Sequence, residues 1–289
     1  MTIEFRNVHA SYDAETPILR CVSFTVNDGE FVAFVGTNGA GKSTTMRLAN
    51  GLLKPDAGEV LVDGVPTTQL KTSELARRVG FLFQNPDSQI CCPTVREELL
   101  FGFRALGCLD AVAEERVDAV IGEFGFNPGD DPFLLNRGTR QLLALASIVV
   151  LDTPVIILDE PTTGLDYREC VKVMRIIRRL HEKGATVIMV CHDMEVVGDF
   201  AERVIVMSDG RVVTQGPTFD VLRDRSVLEA ASLVPPQIVD ISLALPFMNP
   251  ALAGTAIARA NTLDEMCDAA AAAAGASYTG IRGMEGVVR

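Results

Sequence analysis

Two short segments of this sequence have the residue types, in the order needed, to hold a polyphosphate and cleave it. The first is Gly36-Thr37-Asn38-Gly39-Ala40-Gly41-Lys42-Ser43-Thr44, a G-x-x-x-x-G-K-[ST] run that follows a strand-like apolar stretch and opens a helix-like one. Glycines at this spacing let backbone N–H groups face one concavity, and a helix N-terminus adds partial positive charge. Lys42 is placed to reach the outer phosphates and Ser43 to offer a hydroxyl to Mg²⁺. By itself the loop leaves ATPases, GTPases and small-molecule kinases open.

The second segment is Val155-Ile156-Ile157-Leu158-Asp159-Glu160, four apolar residues running into two carboxylates at the strand edge where ligands of α/β sheets bind. Asp159 is placed to hold Mg²⁺, directly or through water. Glu160 stands beside it as the group that orients the attacking water and takes up part of its proton. A GTPase would add an N-K-x-D guanine reader, and the sequence has none.

The elements that must position these residues read as a parallel α/β core. Apolar clusters at Ile3–Phe5 and Val22–Val26 precede a buried run, Phe31–Val35, with Asp28-Gly29 as the turn before it. Further apolar runs at Val155–Leu158 and Val187–Cys191 flank a helical pattern over Arg168–Lys183 that closes at Gly184. Residues 94–150 turn helical, with Thr94-x-x-Glu97 as a capping box and Ala111–Phe124 at helical spacing. Composition changes again after Gly216-Pro217. The expected division is a core of residues 1–216, with a helical insert at about 90–150, and an extension of residues 217–289.

With these residues in place, Leu158-Asp159-Glu160-Pro161-Thr162-Thr163-Gly164-Leu165-Asp166 resembles the Walker B and D-loop run of ABC transporter nucleotide-binding domains. The resemblance covers residues 1 to about 216. It implies a P-loop NTPase, ABC-type ATPase core with an N-terminal antiparallel β subdomain, a helical subdomain and a mainly helical C-terminal extension. By the same resemblance Tyr12 stacks on adenine, Gln84 is the Q-loop glutamine that senses Mg²⁺ and the membrane partner, His192 is the switch histidine at the γ-phosphate, and Asp166 belongs to the D-loop. Taken singly, Tyr12 also reads as a strand-edge aromatic, Gln84 as a turn residue and His192 as a strand cap. The implied cofactors are ATP and Mg²⁺.

One stretch departs from the family pattern. Where the signature L-S-G-G-Q grips the ATP of the opposite subunit, this sequence has Leu135-Asn136-Arg137-Gly138-Thr139, then Arg140 and Gln141. Asn136 offers an amide donor in place of a serine hydroxyl, and Gly138 keeps a backbone N–H. Arg137 adds charge where the family has glycine. Two readings stand: both sites of a homodimer carry this altered signature, or a heterodimer pairs it with a second ATPase subunit. Arg137 and Arg140 also read as solvated helix-start charges.

Gln84-Asn85-Pro86-Asp87-Ser88-Gln89 and Cys191-His192-Asp193-Met194 are similar to the ATPases of energy-coupling factor importers for vitamins or transition metal ions. That resemblance implies a transmembrane coupling subunit and a substrate-binding membrane subunit as partners. Phe219, Leu222, Leu228, Leu233, Ile238, Ile241 and Leu245 are apolar at near-helical spacing, and the tail either joins two ATPases or packs on its own domain.

Composition narrows the alternatives. The net charge of −12 and pI near 4.8 argue against a nucleic-acid partner, and no coiled-coil run suggests a soluble ABC-class ATPase acting on nucleic acid or protein. A nucleotide kinase would want a lid with paired arginines in place of Gln84 and His192. No run of eighteen apolar residues or signal-peptide pattern is visible, so the chain is expected to stay in the cytoplasm, and the resemblance implies a peripheral position on the cytoplasmic face of the cell membrane. Its seven cysteines show no C-x-x-C pair, and most read as small hydrophobes in a reducing compartment.

Overall fold

The computed structural model describes residues 1–12 and 16–274. Its strands are β1 (Ile3–Ser11), β2 (Pro17–Val26), β3 (Phe31–Gly36), β4 (Ala57–Val62), β5 (Val65–Pro66), β6 (Val79–Leu82), β7 (Val155–Asp159), β8 (Thr186–Val190), β9 (Arg203–Ser208) and β10 (Arg211–Pro217). Strands β2-β1-β4-β5 form an antiparallel sheet, and β10-β9-β3-β8-β7-β6 form a second sheet. In the second sheet only the β9–β10 pair is antiparallel.

Burial follows the sequence pattern. β3, β7 and β8 are buried at every position, as strands covered on both faces must be. Along β3 the two faces alternate: Phe31, Ala33 and Val35 enter one apolar cluster, Val32 and Phe34 the other. β1 and β2 instead alternate buried with exposed residues, because their sheet has one wet face.

The helices are α1 (Lys42–Ala49), α2 (Thr72–Ala76), α3 (Val95–Ala105), α4 (Ala111–Phe124), α5 (Arg137–Val149), α6 (Tyr167–Glu182), α7 (Met194–Phe200), α8 (Thr218–Leu222), α9 (Arg225–Ala230), α10 (Gln237–Met248) and α11 (Leu263–Ala273). Helices α3, α4 and α5 make the helical insert between β6 and β7. Thr94 accepts the Glu97 N–H at 3.2 Å, but Glu97 does not bond back, so only half of the expected capping box forms. The full box is at α6, where Asp166 accepts from Glu169 N and Glu169 accepts from Asp166 N.

Packing does not stop at Gly216-Pro217. Val221, Leu222, Leu228 and Ala231 bury into the same cluster as Val204 and Val206 of β9. Beyond them Arg223 reaches Ser242 Oγ, Asn261 Oδ1 and the carbonyls of Ala258 and Ala260, stitching α10 and the following turns to α8. Ile241, Phe247 and Met248 on α10 stay exposed. The stretch Ala269–Arg289 reads from sequence as a frayed end or short helix; residues 269–273 close α11, and residues 275–289 lie outside the described residues.

Candidate nucleotide-hydrolysis site

The parallel strands deliver the candidate residues to one sheet edge. Gly36 to Gly41 follow β3, Gln84 follows β6, Glu160 follows β7 and His192 follows β8, all at carboxyl ends and with β8 lying between β3 and β7. This is where crossovers leave a crevice in an open parallel sheet.

The loop after β3 depends on its glycines at two points. Gly36 has φ +133°, and a Cβ there would sit 1.8 Å from the Met207 carbonyl oxygen of β9. Gly41, the N-cap of α1, has φ +94° and the Leu19 side chain 2.4 Å from where a Cβ would be. Lys42 Nζ donates to Gly36 O at 2.8 Å and Thr37 O at 2.9 Å, joining the start of the loop to its end. Burial lowers the Lys42 ammonium from its usual range, opposed by the nearby charges of Glu160 and Asp159. Its charge is thus held in a partly dry place, where Coulomb interactions are strong.

Asp159 ends β7 and accepts a hydrogen bond from Ser43 Oγ at 3.1 Å. Burial raises its carboxyl above the usual carboxylate range; the Ser43 bond opposes this and the Glu160 charge adds to it. Glu160 follows with φ +52°, a left-handed conformation that a side-chain-bearing residue adopts only when its surroundings enforce it. The enforcing contacts are present: Glu160 N bonds to Val190 O at 3.0 Å. Its carboxylate accepts from Gln84 Nε2 at 2.8 Å and Thr163 Oγ1 at 2.9 Å, with His192 Nε2 2.8 Å from its other oxygen.

Glu160 is therefore a hub between β6, β7 and β8. The structure brings Lys42, Ser43, Gln84, Asp159, Glu160 and His192 into one group, with Thr163 as a member that motif reading missed. Tyr12 lies over the first turns of α1, its hydroxyl accepting from Arg47 Nη1 at 2.9 Å and 3.4 Å from Thr44 Oγ1, with the ring more than half exposed. A cavity of about 520 Å³ opens beside Gly36, Thr37, Asn38 and His192.

Comparison with known proteins agrees with this geometry. The family model for ABC transporter matches residues 19–163. The chain belongs to the ABC transporter ATP-binding family. It is 42% identical over 83% of its length to a putative ABC transporter ATP-binding protein of Caldanaerobacter subterraneus subsp. tengcongensis, but spans only 42% of that protein. It is 39% identical over 83% of its length to the energy-coupling factor transporter ATP-binding protein EcfA of Methanothermobacter thermautotrophicus, of which it covers 78%. Among solved structures, cbiO1 from Clostridium perfringens, part of the ABC transporter complex cbiONQ, superposes with a TM-score of 0.70 at 28% identity, covering 86% of this chain and 98% of that one.

As an ABC ATPase of the transporter class, the chain takes ATP with Mg²⁺. The side chains fit that pair: a buried carboxylate and a hydroxyl 3.1 Å apart stand at the mouth of a phosphate loop, the oxygen donor set Mg²⁺ prefers.

The stretch expected to stand where the family has its signature, residues 135–141, lies at the start of α5. Asn136 is the N-cap, its Oδ1 accepting from Thr139 N at 2.8 Å, so this cap does not use its Nδ2 donor. Arg137 and Arg140 are not loose charges. Arg137 Nη2 donates to Thr163 O at 3.3 Å, and its guanidinium lies against Gly164 in the D-loop. Arg140 Nε is 3.1 Å from Asp87 Oδ1, an ion pair whose N–H is not aimed well enough to count as a hydrogen bond. Buried Gln141 donates to Pro161 O at 3.2 Å. Gly138 is buried against the Glu169 carboxylate. Asp166 spends its carboxylate on capping α6. Cys191, beside His192, is buried and its thiol is pushed up to about 12 by desolvation, which disfavours the thiolate.

Proposed function

We propose that this chain is the ATP-hydrolysing subunit of an energy-coupling factor type importer for a micronutrient, a vitamin or a transition metal ion. The observation that carries the mechanism is the Glu160 carboxylate held at once by Gln84, Thr163 and His192.

In this reading the Gly36–Thr44 turn, including Asn38, Gly39 and Ala40, binds the phosphates and Tyr12 faces adenine. Ser43, Asp159 and Gln84 would hold Mg²⁺, whose chemistry there would be to neutralise charge on the transferred phosphoryl group. Lys42 supplies positive charge on the outer phosphates. Glu160 orients the attacking water and takes up its proton, and His192 positions Glu160 on the γ-phosphate side.

Asn136, Arg137, Gly138 and Thr139 reach the ATP of a second ATPase subunit in a head-to-tail dimer, since they form no hydrogen bond to the loop 36–44 of their own chain among the described residues. The bond from Arg137 to Thr163 O, and the bond from Thr163 to Glu160, give a route by which the partner's ATP affects this chain's base. The exposed apolar side of α10 is the segment assigned to holding two ATPases together.

The importer reading rests on the likeness to EcfA and to cbiO1, and on a groove of about 330 Å³ between the core and the helical insert, lined in part by Leu52, Phe81, Phe83 and Phe101. Leu52 and Phe101 are about half exposed there, at 51% and 48%, and Phe83, Ser88 and Gln89, which flank the Gln84 turn in sequence, line it as well. A transmembrane coupling subunit docks in this groove at the cytoplasmic face of the membrane, and closure of the ATPase pair moves it. The test is Phe101→Glu with Leu52→Glu: membrane association of the tagged chain is expected to be lost with ATP binding retained. Unchanged association would contradict the docking site.

A further inference from the structure

Cys91 and Cys92 lie between the turn at Pro86–Ser88 and the start of α3. The two sulfurs and a carboxylate oxygen of Glu98 fall within 4.8 Å of one another. Neighbouring side chains diverge on a strand, but this segment is neither strand nor helix. Glu98 accepts the backbone N–H of both Cys91 and Cys92 at 2.9 Å each, curling the segment around its carboxylate.

Glu98 is 3% exposed and forms no ion pair among the described residues. A buried carboxylate of this kind requires compensation. The two N–H bonds and the first turn of α3 supply partial positive charge, and a carboxylate with about four lone-pair positions still has room for a cation.

We propose that Cys91, Cys92 and Glu98 form a three-ligand site for a borderline-soft divalent cation of the Zn²⁺ class, with a fourth position open to water. Two thiols and one carboxylate suit Zn²⁺ and disfavour Mg²⁺ or Ca²⁺, which take oxygen ligands. The binding step is balanced: a dication enters, two thiol protons leave to solvent, and the net charge of the cluster is unchanged. No oxidant is needed.

The site has a consequence for the transporter reading, and this part alone rests on that reading. Glu98 lines the same groove as Phe101 and Gln89, and the cysteines connect the Gln84 turn to α3. A bound cation stiffens that connection and reports metal status to the groove where the membrane subunit docks.

The test uses the reduced full chain without nucleotide or partner, so that its outcome is independent of the transport proposal. Co²⁺ serves as the spectroscopic probe. Expected are one Co²⁺ per chain, a near-ultraviolet thiolate-to-metal band, release of two protons, and displacement by Zn²⁺ but not by Mg²⁺. Cys91→Ser with Cys92→Ser should abolish the band, whereas Cys21→Ser with Cys108→Ser, two exposed cysteines elsewhere, should keep it. Glu98→Gln, which retains an acceptor for the two N–H groups, should weaken Co²⁺ by about tenfold or more, by analogy with ligand-sphere substitutions. A band that persists in the Cys91→Ser, Cys92→Ser protein, or no band in wild type with all thiols free, overturns the site.

Discussion

Arg140, in the first turn of α5, pairs with Asp87, Nε to Oδ1 3.1 Å, and so ties the signature helix to the segment just after Gln84. Both groups keep contact with solvent, so the pair contributes less than about 1 kcal/mol to stability. Arg140→Ala should shift the urea unfolding free energy by no more than that. Its larger effect should fall on ATP turnover stimulated by the membrane subunit. Adding Asp87→Ala to Arg140→Ala should cause no further loss, because the two residues act as one unit. Additive losses would show that they do not.

Asn136 caps α5 through Oδ1, and in the proposed dimer its Nδ2 is the donor offered to the partner's ATP. Asn136→Ala removes both and should cost about 1 kcal/mol of stability together with ATP-dependent association. Asn136→Ser restores a cap and a donor, and should recover both properties. Association measured by light scattering distinguishes the two variants; full association of the Ala protein would remove Asn136 from the dimer contact.

Gly36→Ala forces a methyl onto the Met207 carbonyl, 1.8 Å away in the present backbone. The result should be a loss of about 3 kcal/mol or more, from positive φ and the backbone shift together. Denaturant unfolding checks this, and a loss below about 1 kcal/mol would mean that β9 yields easily.

Asp159 gives a pH signature. Its folded-state carboxyl titrates above the ordinary range because of burial, so the folded chain binds that proton more tightly than the unfolded chain does. Stability from this group is therefore present at low pH and is lost as pH rises from the unfolded value through the folded one. Asp159→Asn should then be more stable than wild type near neutral pH, and the gap should close on acidification. The same variant should lose stabilisation by Mg²⁺-ATP. A gap that widens toward low pH would reverse the assigned cause.

The phosphate loop and the Asp159-Glu160 pair were legible because each is contiguous: a few residues in a row carry both the chemistry and its strand or helix context. The buried strands were legible for the same reason, since apolar runs such as Phe31–Val35 need no distant partner to be seen. What joins the elements was not. Thr163 on Glu160, Arg137 on Gly164 and Arg140 on Asp87 depend on loops meeting across the sheet edge, and no local pattern encodes such meetings. Thr94 and Glu97 show the converse: a capping-box spelling was present, yet Glu97 found no backbone N–H to take. The cysteine pair escaped because a search for C-x-x-C spacing cannot see two adjacent thiols folded around a buried Glu98. The break at Gly216-Pro217 marks a change in composition, but Leu222 and Leu228 carry the core past it.

The central claim is that Glu160 is the base held by Gln84 and His192, and the most direct measurement is steady-state ATP turnover by Glu160→Gln beside its ATP affinity and its ATP-dependent association. The amide keeps the size of the side chain but cannot take up the proton, so turnover should fall by about 10²-fold or more. ATP affinity should change by no more than a few-fold, in the manner of a residue whose role is confined to the transition state, and a closed dimer should accumulate. Turnover at the wild-type level with unchanged affinity would contradict the assignment of Glu160, and with it the mechanism built on that hub.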